Sequence, residues 1–131
     1  MSFSSLRLFV LLSSIIGLLL GGLLGTLIGR ELNPQWGDLA GVVTGIWLGG
    51  PIAAFVTFQL FVGKLDIILS VTKARITNFF ATFLVEIVLL SIFAVFVRTN
   101  SGSILLAPIL IAANLALSYV NLILCIKVSK K

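Results

Sequence analysis

Few residues of this 131-residue chain could do chemistry, and most of them sit inside apolar runs. Glu86 is the one ionisable side chain deep within such a run. Asn114, Ser118, Asn121 and Cys125 follow at i, i+4, i+7 and i+11, which is one face of a helix. A carboxylate far inside lipid is costly, so Glu86 is expected to be protonated, paired or functional. Asn114 falls near the centre of its own run, level with Glu86. Gly49-Gly50-Pro51 adds a third group at that depth. Proline has no N–H, so Pro51 leaves the Trp47 carbonyl without its helical donor and is expected to kink the helix. A protonated Glu86 is then expected to donate to that carbonyl or to Asn114.

Two chemistries fit this candidate intramembrane polar site of Glu86, Asn114, Ser118 and Asn121. In the first, Glu86 and Asn114 join two helices at about 0.5–2 kcal/mol per hydrogen bond. In the second, Glu86 binds an ion or a proton, or meets a charge on a partner subunit. Both stay open on the sequence. A proton-transfer chain would need more titratable groups than this, which argues against an autonomous pump.

Other chemistries lack their residues. There is no histidine, and Cys125 is the only cysteine. That removes the usual haem and zinc ligand, the usual general base and any intrachain disulfide. No nucleophile stands beside a base, and no phosphate-binding loop or metal cluster is visible. No catalytic residue, cofactor or metal site is therefore expected. Phe79, Phe80 and Phe83 are expected to pack inside or to face lipid.

The elements that must position these groups follow from composition. The chain is 60% hydrophobic and only 10% charged, against roughly a quarter charged for a soluble domain. The charges are bunched between four apolar runs, each near the ~20 residues a bilayer requires. The expected spans are about Leu8–Ile28, Leu39–Phe61, Ile76–Val97 and Ile104–Ile126. In lipid the backbone must satisfy itself within each segment, so these are helices. The run after Arg7 exceeds the 7–15 residues or so of a signal-peptide core, and no small-x-small site follows. It is expected to remain as the first span.

The connectors are short. "RELNPQWGD" (30–38) carries the Asn33-Pro34 turn signal and Trp36, a residue suited to the interface. In 63–75, Leu65, Ile68, Leu69 and Thr72 share one helical face, and Asp66, Ser70 and Lys73 another. That spacing suits a short surface helix. A fraying end of the second span is the alternative. "RTNSGS" (98–103) reads as a tight polar turn.

Lys and Arg divide unequally between the two sides. Arg7, Lys64, Lys73, Arg75, Lys127, Lys130 and Lys131 lie on one side, Arg30 and Arg98 on the other. Seven against two places both termini in the cytoplasm, or its equivalent, by the positive-inside rule. The net charge of +5 is thus topological, and no aromatic-basic surface remains for a nucleic acid.

The first two spans carry glycine at every fourth position: Gly17, Gly21, Gly25, Gly29, then Gly37, Gly41, Gly45, Gly49. Lipid tails are as apolar as leucine, so helices attract one another in a bilayer through close backbone contact, which small residues permit. An antiparallel hairpin sets Gly29 level with Gly37, Gly25 with Gly41, Gly21 with Gly45 and Gly17 with Gly49. The expected result is a glycine zipper closing the first hairpin. The alternative is that one ladder serves a homo-oligomer or docks on another subunit. Only Gly102 of the twelve glycines lies after residue 63, so the halves are not repeats, unlike those of inverted-repeat transporters.

The hairpin "GLLLGGLLGTLIGRELNPQWGDLAGVVTG" resembles the small membrane proteins called ATP synthase protein I, down to its Pro34-x-Trp36 turn. The likeness extends to four spans, a basic second loop and a glutamate, here Glu86, in the third. Where some members place a basic residue a turn later, this chain has Leu90. The resemblance implies a non-catalytic protein that helps the rotor ring of the synthase assemble, in a family also linked to magnesium or calcium. "GGLLGTLIGR" and "NFFATFLVE" are similar in part to motifs of small four-helix fluoride channels. The arginine there is displaced by one position, and Thr44 and Gly45 stand where an asparagine belongs.

The sequence thus predicts an all-α, four-helix transmembrane bundle over residues 1–131. Its expected role is non-enzymatic: an accessory or assembly subunit of a larger membrane complex, in contact with the bilayer and with other membrane subunits. A small oligomeric ion channel or carrier, with Glu86 and Asn114 along its path, is the alternative. An enzyme acting on lipids is a third reading.

Overall fold

The structure is a computed structural model that describes residues 1–99 and 106–130. Four helices follow one another: α1 (Phe3–Leu32), α2 (Gly37–Phe61), α3 (Val71–Thr99) and α4 (Leu106–Ser129). Each is long and apolar enough to cross a membrane, which makes this an all-α, multi-pass membrane architecture. The helices outrun the apolar cores read from the sequence. The 30 residues of α1 extend about 45 Å, past the ~30 Å of a hydrocarbon layer. Ser2 caps its start, accepting from the Ser5 N–H at 3.2 Å.

Helices α1 and α2 meet along more of their length than any other pair. The reason is the two glycine ladders, which face each other in the register that an antiparallel hairpin dictates. A Cβ added at Gly17, Gly21, Gly25 or Gly29 would lie 3.0, 3.0, 2.8 or 2.7 Å from the carbonyl carbon of Gly49, Gly45, Gly41 or Gly37. No side chain fits there, so the two backbones touch. The register continues one rung further through small residues that are not glycine. Ser13 Oγ donates to the carbonyl of its own helix at Val10 (2.9 Å) and reaches that of Ala53 (3.4 Å). Beyond it, Phe9 stacks on Phe61 at 5.6 Å between ring centroids, and bulk takes over from bare backbone.

The turn between α1 and α2 is built by Asn33. Its carbonyl accepts from Gly37 N–H (2.7 Å) and its Oδ1 from the N–H groups of Gln35 (3.0 Å) and Trp36 (3.4 Å). Arg30 and Asp38 pair loosely across it at 3.9 Å, and Trp36 is exposed.

At the opposite end, where both termini lie, the helices spread enough to hold a side-chain core. Leu6, Val10, Phe58, Val62, Ala74 and Leu122 are its buried centre. The connector between α2 and α3 corrects the sequence reading. It is one short 3-10 turn, Val62–Lys64, followed by non-helical backbone until α3 begins at Val71. No surface helix forms; α2 instead loosens into the 3-10 turn and ends at Lys64, which is the fraying alternative. Leu65 is the reason: it turns inward and is buried in the core, which breaks the proposed amphipathic face. The Met1 amino group donates to the Lys64 carbonyl (2.9 Å) and holds the connector from the other side. The expected polar turn at 98–103, with Gly102, falls largely outside the described residues.

Candidate functional site

Helices α3 and α4 are antiparallel neighbours, and polar side chains set their register. Asn78 Nδ2 donates to Asn121 Oδ1 (3.3 Å), and Asn121 Nδ2 donates to Thr82 Oγ1 (3.0 Å). Cys125 Sγ–H also donates to Asn121 Oδ1, at 3.1 Å. The pairing continues into α2 and toward the membrane surface. Gln59 Nε2 donates to Asn78 Oδ1 (3.2 Å) and to the Arg75 carbonyl (3.1 Å), while Arg75 Nη2 donates to the Gln59 carbonyl (3.2 Å). One network therefore ties three helices together near the end where the termini lie.

Counting inward from Asn121, Glu86 is a turn past Thr82, and Ser118 and Asn114 are one and two turns up α4. Asn114 meets Gly50 and the Glu86 backbone meets Trp47, and the bonds differ from those expected. Glu86 donates neither to Asn114 nor to the Trp47 carbonyl: both its carboxyl oxygens are buried with no hydrogen-bond partner. Contact with Trp47 runs the other way, the indole N–H donating to the backbone carbonyl of Glu86 at 3.1 Å.

Asn114 bonds instead to α1. Its Oδ1 accepts from Ser14 Oγ at 3.2 Å, and both residues are buried. Its amide lies against the bare Cα of Gly50, where an added Cβ would come within 2.6 Å of Nδ2. This explains the second glycine of "GGP": Gly49 meets α1 and Gly50 admits Asn114. Pro51 is buried, and α2 runs from Gly37 through it to Phe61. Asn114 Nδ2 and Ser118 Oγ, like the Glu86 carboxyl, are buried without a partner.

The sequence reading missed Ser14, Gln59, Asn78 and Thr82. A signal for two of them was present, since Asn78, Thr82 and Glu86 stand at i, i+4 and i+8. Ser14 and Gln59 are lone polar residues in apolar runs, with no pattern to mark them. Phe79, Phe80 and Phe83 point outward and are exposed.

The network from Arg75 and Gln59 ends at Thr82, one turn short of Glu86. The Glu86 carboxyl and Ser118 Oγ keep acceptor capacity, and Asn114 Nδ2 donor capacity, that no described side chain meets. No group of three or more His, Cys, Asp or Glu side chains comes together among the described residues. Comparison of the chain with protein-family models, with curated proteins and with solved structures returns no match.

Proposed function

We propose that this chain is a non-enzymatic accessory or assembly subunit of a larger membrane complex. The observation that carries this reading lies on the outer face of the first hairpin. Close contact of α1 and α2 leaves an apolar groove of about 570 Å³ there, floored by glycines of both ladders. Leu24 and Ile28 wall it on one side, Leu48 and Ile52 on the other. A transmembrane helix entering such a groove gains the backbone contact that drives association in lipid. Thr44 lines the groove with its hydroxyl already bonded to the Ala40 carbonyl at 2.8 Å, so between the two walls the surface offers shape. The likeness of the hairpin to ATP synthase protein I makes a rotor-ring complex the first partner to seek.

The test is purification from native membranes followed by mass spectrometry, with wild type beside Thr44→Leu and Ala40→Leu. Both substitutions fill the groove without entering the α1–α2 contact. Loss of a defined partner from these variants, with an unchanged melting temperature, supports the proposal. A partner retained by both overturns the groove as its seat.

The unpartnered Glu86 carboxyl favours a second reading, a channel or carrier subunit with an ion or proton site at Glu86. Ion flux in liposomes that disappears in Glu86→Gln would establish this reading and displace the first.

A further inference from the structure

The C-terminal end of α4 carries a feature that neither reading uses. Two apolar hollows flank it, of about 600 and 310 Å³. The larger is lined by Phe3 at the start of α1, Ile67 in the α2–α3 connector, and Ile123 and Ile126 of α4. The smaller runs along α4 past Val120 and Leu124. The two hollows share Ile123 and Lys127, and Lys130 stands at the rim of the larger one.

We propose that these hollows and their two lysines form a site for one anionic phospholipid. Lys127 and Lys130 receive the phosphate, and an acyl chain enters each hollow. The shape argument is adjacency: both hollows border Ile123 and Lys127, so one phosphate on Lys127 stands beside two apolar seats.

The charge argument is local. Lys127 and Lys130 are exposed, and among the described residues neither forms an ion pair. Three of the four acidic side chains lie elsewhere. Glu31 and Asp38 flank the far turn, and Glu86 lies in the middle of α3. The fourth, Asp66, adjoins Ile67 of the larger hollow, with its carboxylate 3.9 Å from the Met1 amino group. A helix C-terminus carries about half a negative charge, which would repel a phosphate; two whole positive charges outweigh it. Basic clusters at the membrane surface attract anionic lipid in general. Here the apolar hollows add a seat for the tails, which a diffuse patch lacks.

The experiment uses the full chain in neutral detergent, titrated with phosphatidylglycerol, phosphatidylcholine or inorganic phosphate. Native mass spectrometry reads retained lipid, and thermal denaturation reads stabilisation. Phosphatidylglycerol should be retained at one per chain and raise the melting temperature, with little effect from the other two. Lys127→Gln with Lys130→Gln should weaken retention about tenfold or more, while the lipid-free melting temperature holds. Ile123→Trp, which fills the meeting point of the hollows, should also reduce retention. Lys64→Gln with Lys73→Gln removes equal charge from the same end and should leave retention unchanged. Equal retention of phosphatidylcholine, equal stabilisation by inorganic phosphate, or an equal loss in the Lys64/Lys73 pair would each overturn the site.

Discussion

The stability of the polar layer differs sharply from residue to residue. Asn121 makes three side-chain hydrogen bonds, to Asn78, Thr82 and Cys125. The Glu86 carboxyl makes none. Interhelical hydrogen bonds in membranes average about 0.6 kcal/mol and reach about 1.7. Asn121→Leu should therefore destabilise the bundle by about 1–3 kcal/mol, since it also strands Asn78 and Thr82. Glu86→Gln should leave stability unchanged or slightly raised. Thermal aggregation of the two variants in detergent checks this, and a larger loss in Glu86→Gln would show that the carboxyl has structural partners. Ser14→Ala gives a finer probe. It removes the Ser14 donor to Asn114 Oδ1 and should cost about 1 kcal/mol by the same assay.

At the scale of elements, the α1–α2 hairpin stands on backbone contact with no room for a methyl group. Gly25→Ala or Gly41→Ala must push one helix off the other, because the atom in the way is a carbonyl of the facing helix. The expected loss is about 1–3 kcal/mol, the range for overpacking. Gly63→Ala is the control: a Cβ there meets only Val71 Cγ1, at 3.9 Å. Equal melting temperatures for all three variants would refute close contact. The α3–α4 pair uses the other means of association available in lipid, polar side chains, and holds its register through Asn78, Thr82 and Asn121. The two hairpins of one small bundle thus cohere by different physics. Ser14–Asn114 and Trp47–Glu86 join them across the centre.

For the whole molecule, the asymmetry of charge predicts an orientation. Single cysteines at Gln35 and at Lys64, in a Cys125→Ala background, should react with an impermeant thiol reagent from opposite sides of intact cells. Gln35→Cys should label from outside and Lys64→Cys only after permeabilisation. The reverse pattern would move the termini, and with them the lysines at the end of α4, to the outer face.

The sequence by itself determined the four helices, because a bilayer accepts only long apolar segments that satisfy their own backbone. It also determined which glycines meet, because the turn length of a hairpin fixes antiparallel register to within a residue. That Asn114 comes level with Gly50 was legible for the same reason, as rise per residue converts position into height. Partner choice within that layer was not. Whether Asn114 bonds to Glu86 or to Ser14 depends on helix rotation and on where α4 lands against Gly50. Those are set by packing among residues distant in the chain, such as the indole of Trp47 over the Glu86 backbone. The connector failed for the same cause: spacing gave Leu65 a place on a surface helix, and the core drew it inward instead. Height and register are one-dimensional quantities that a sequence carries, whereas azimuth around each helix axis belongs to the assembled bundle.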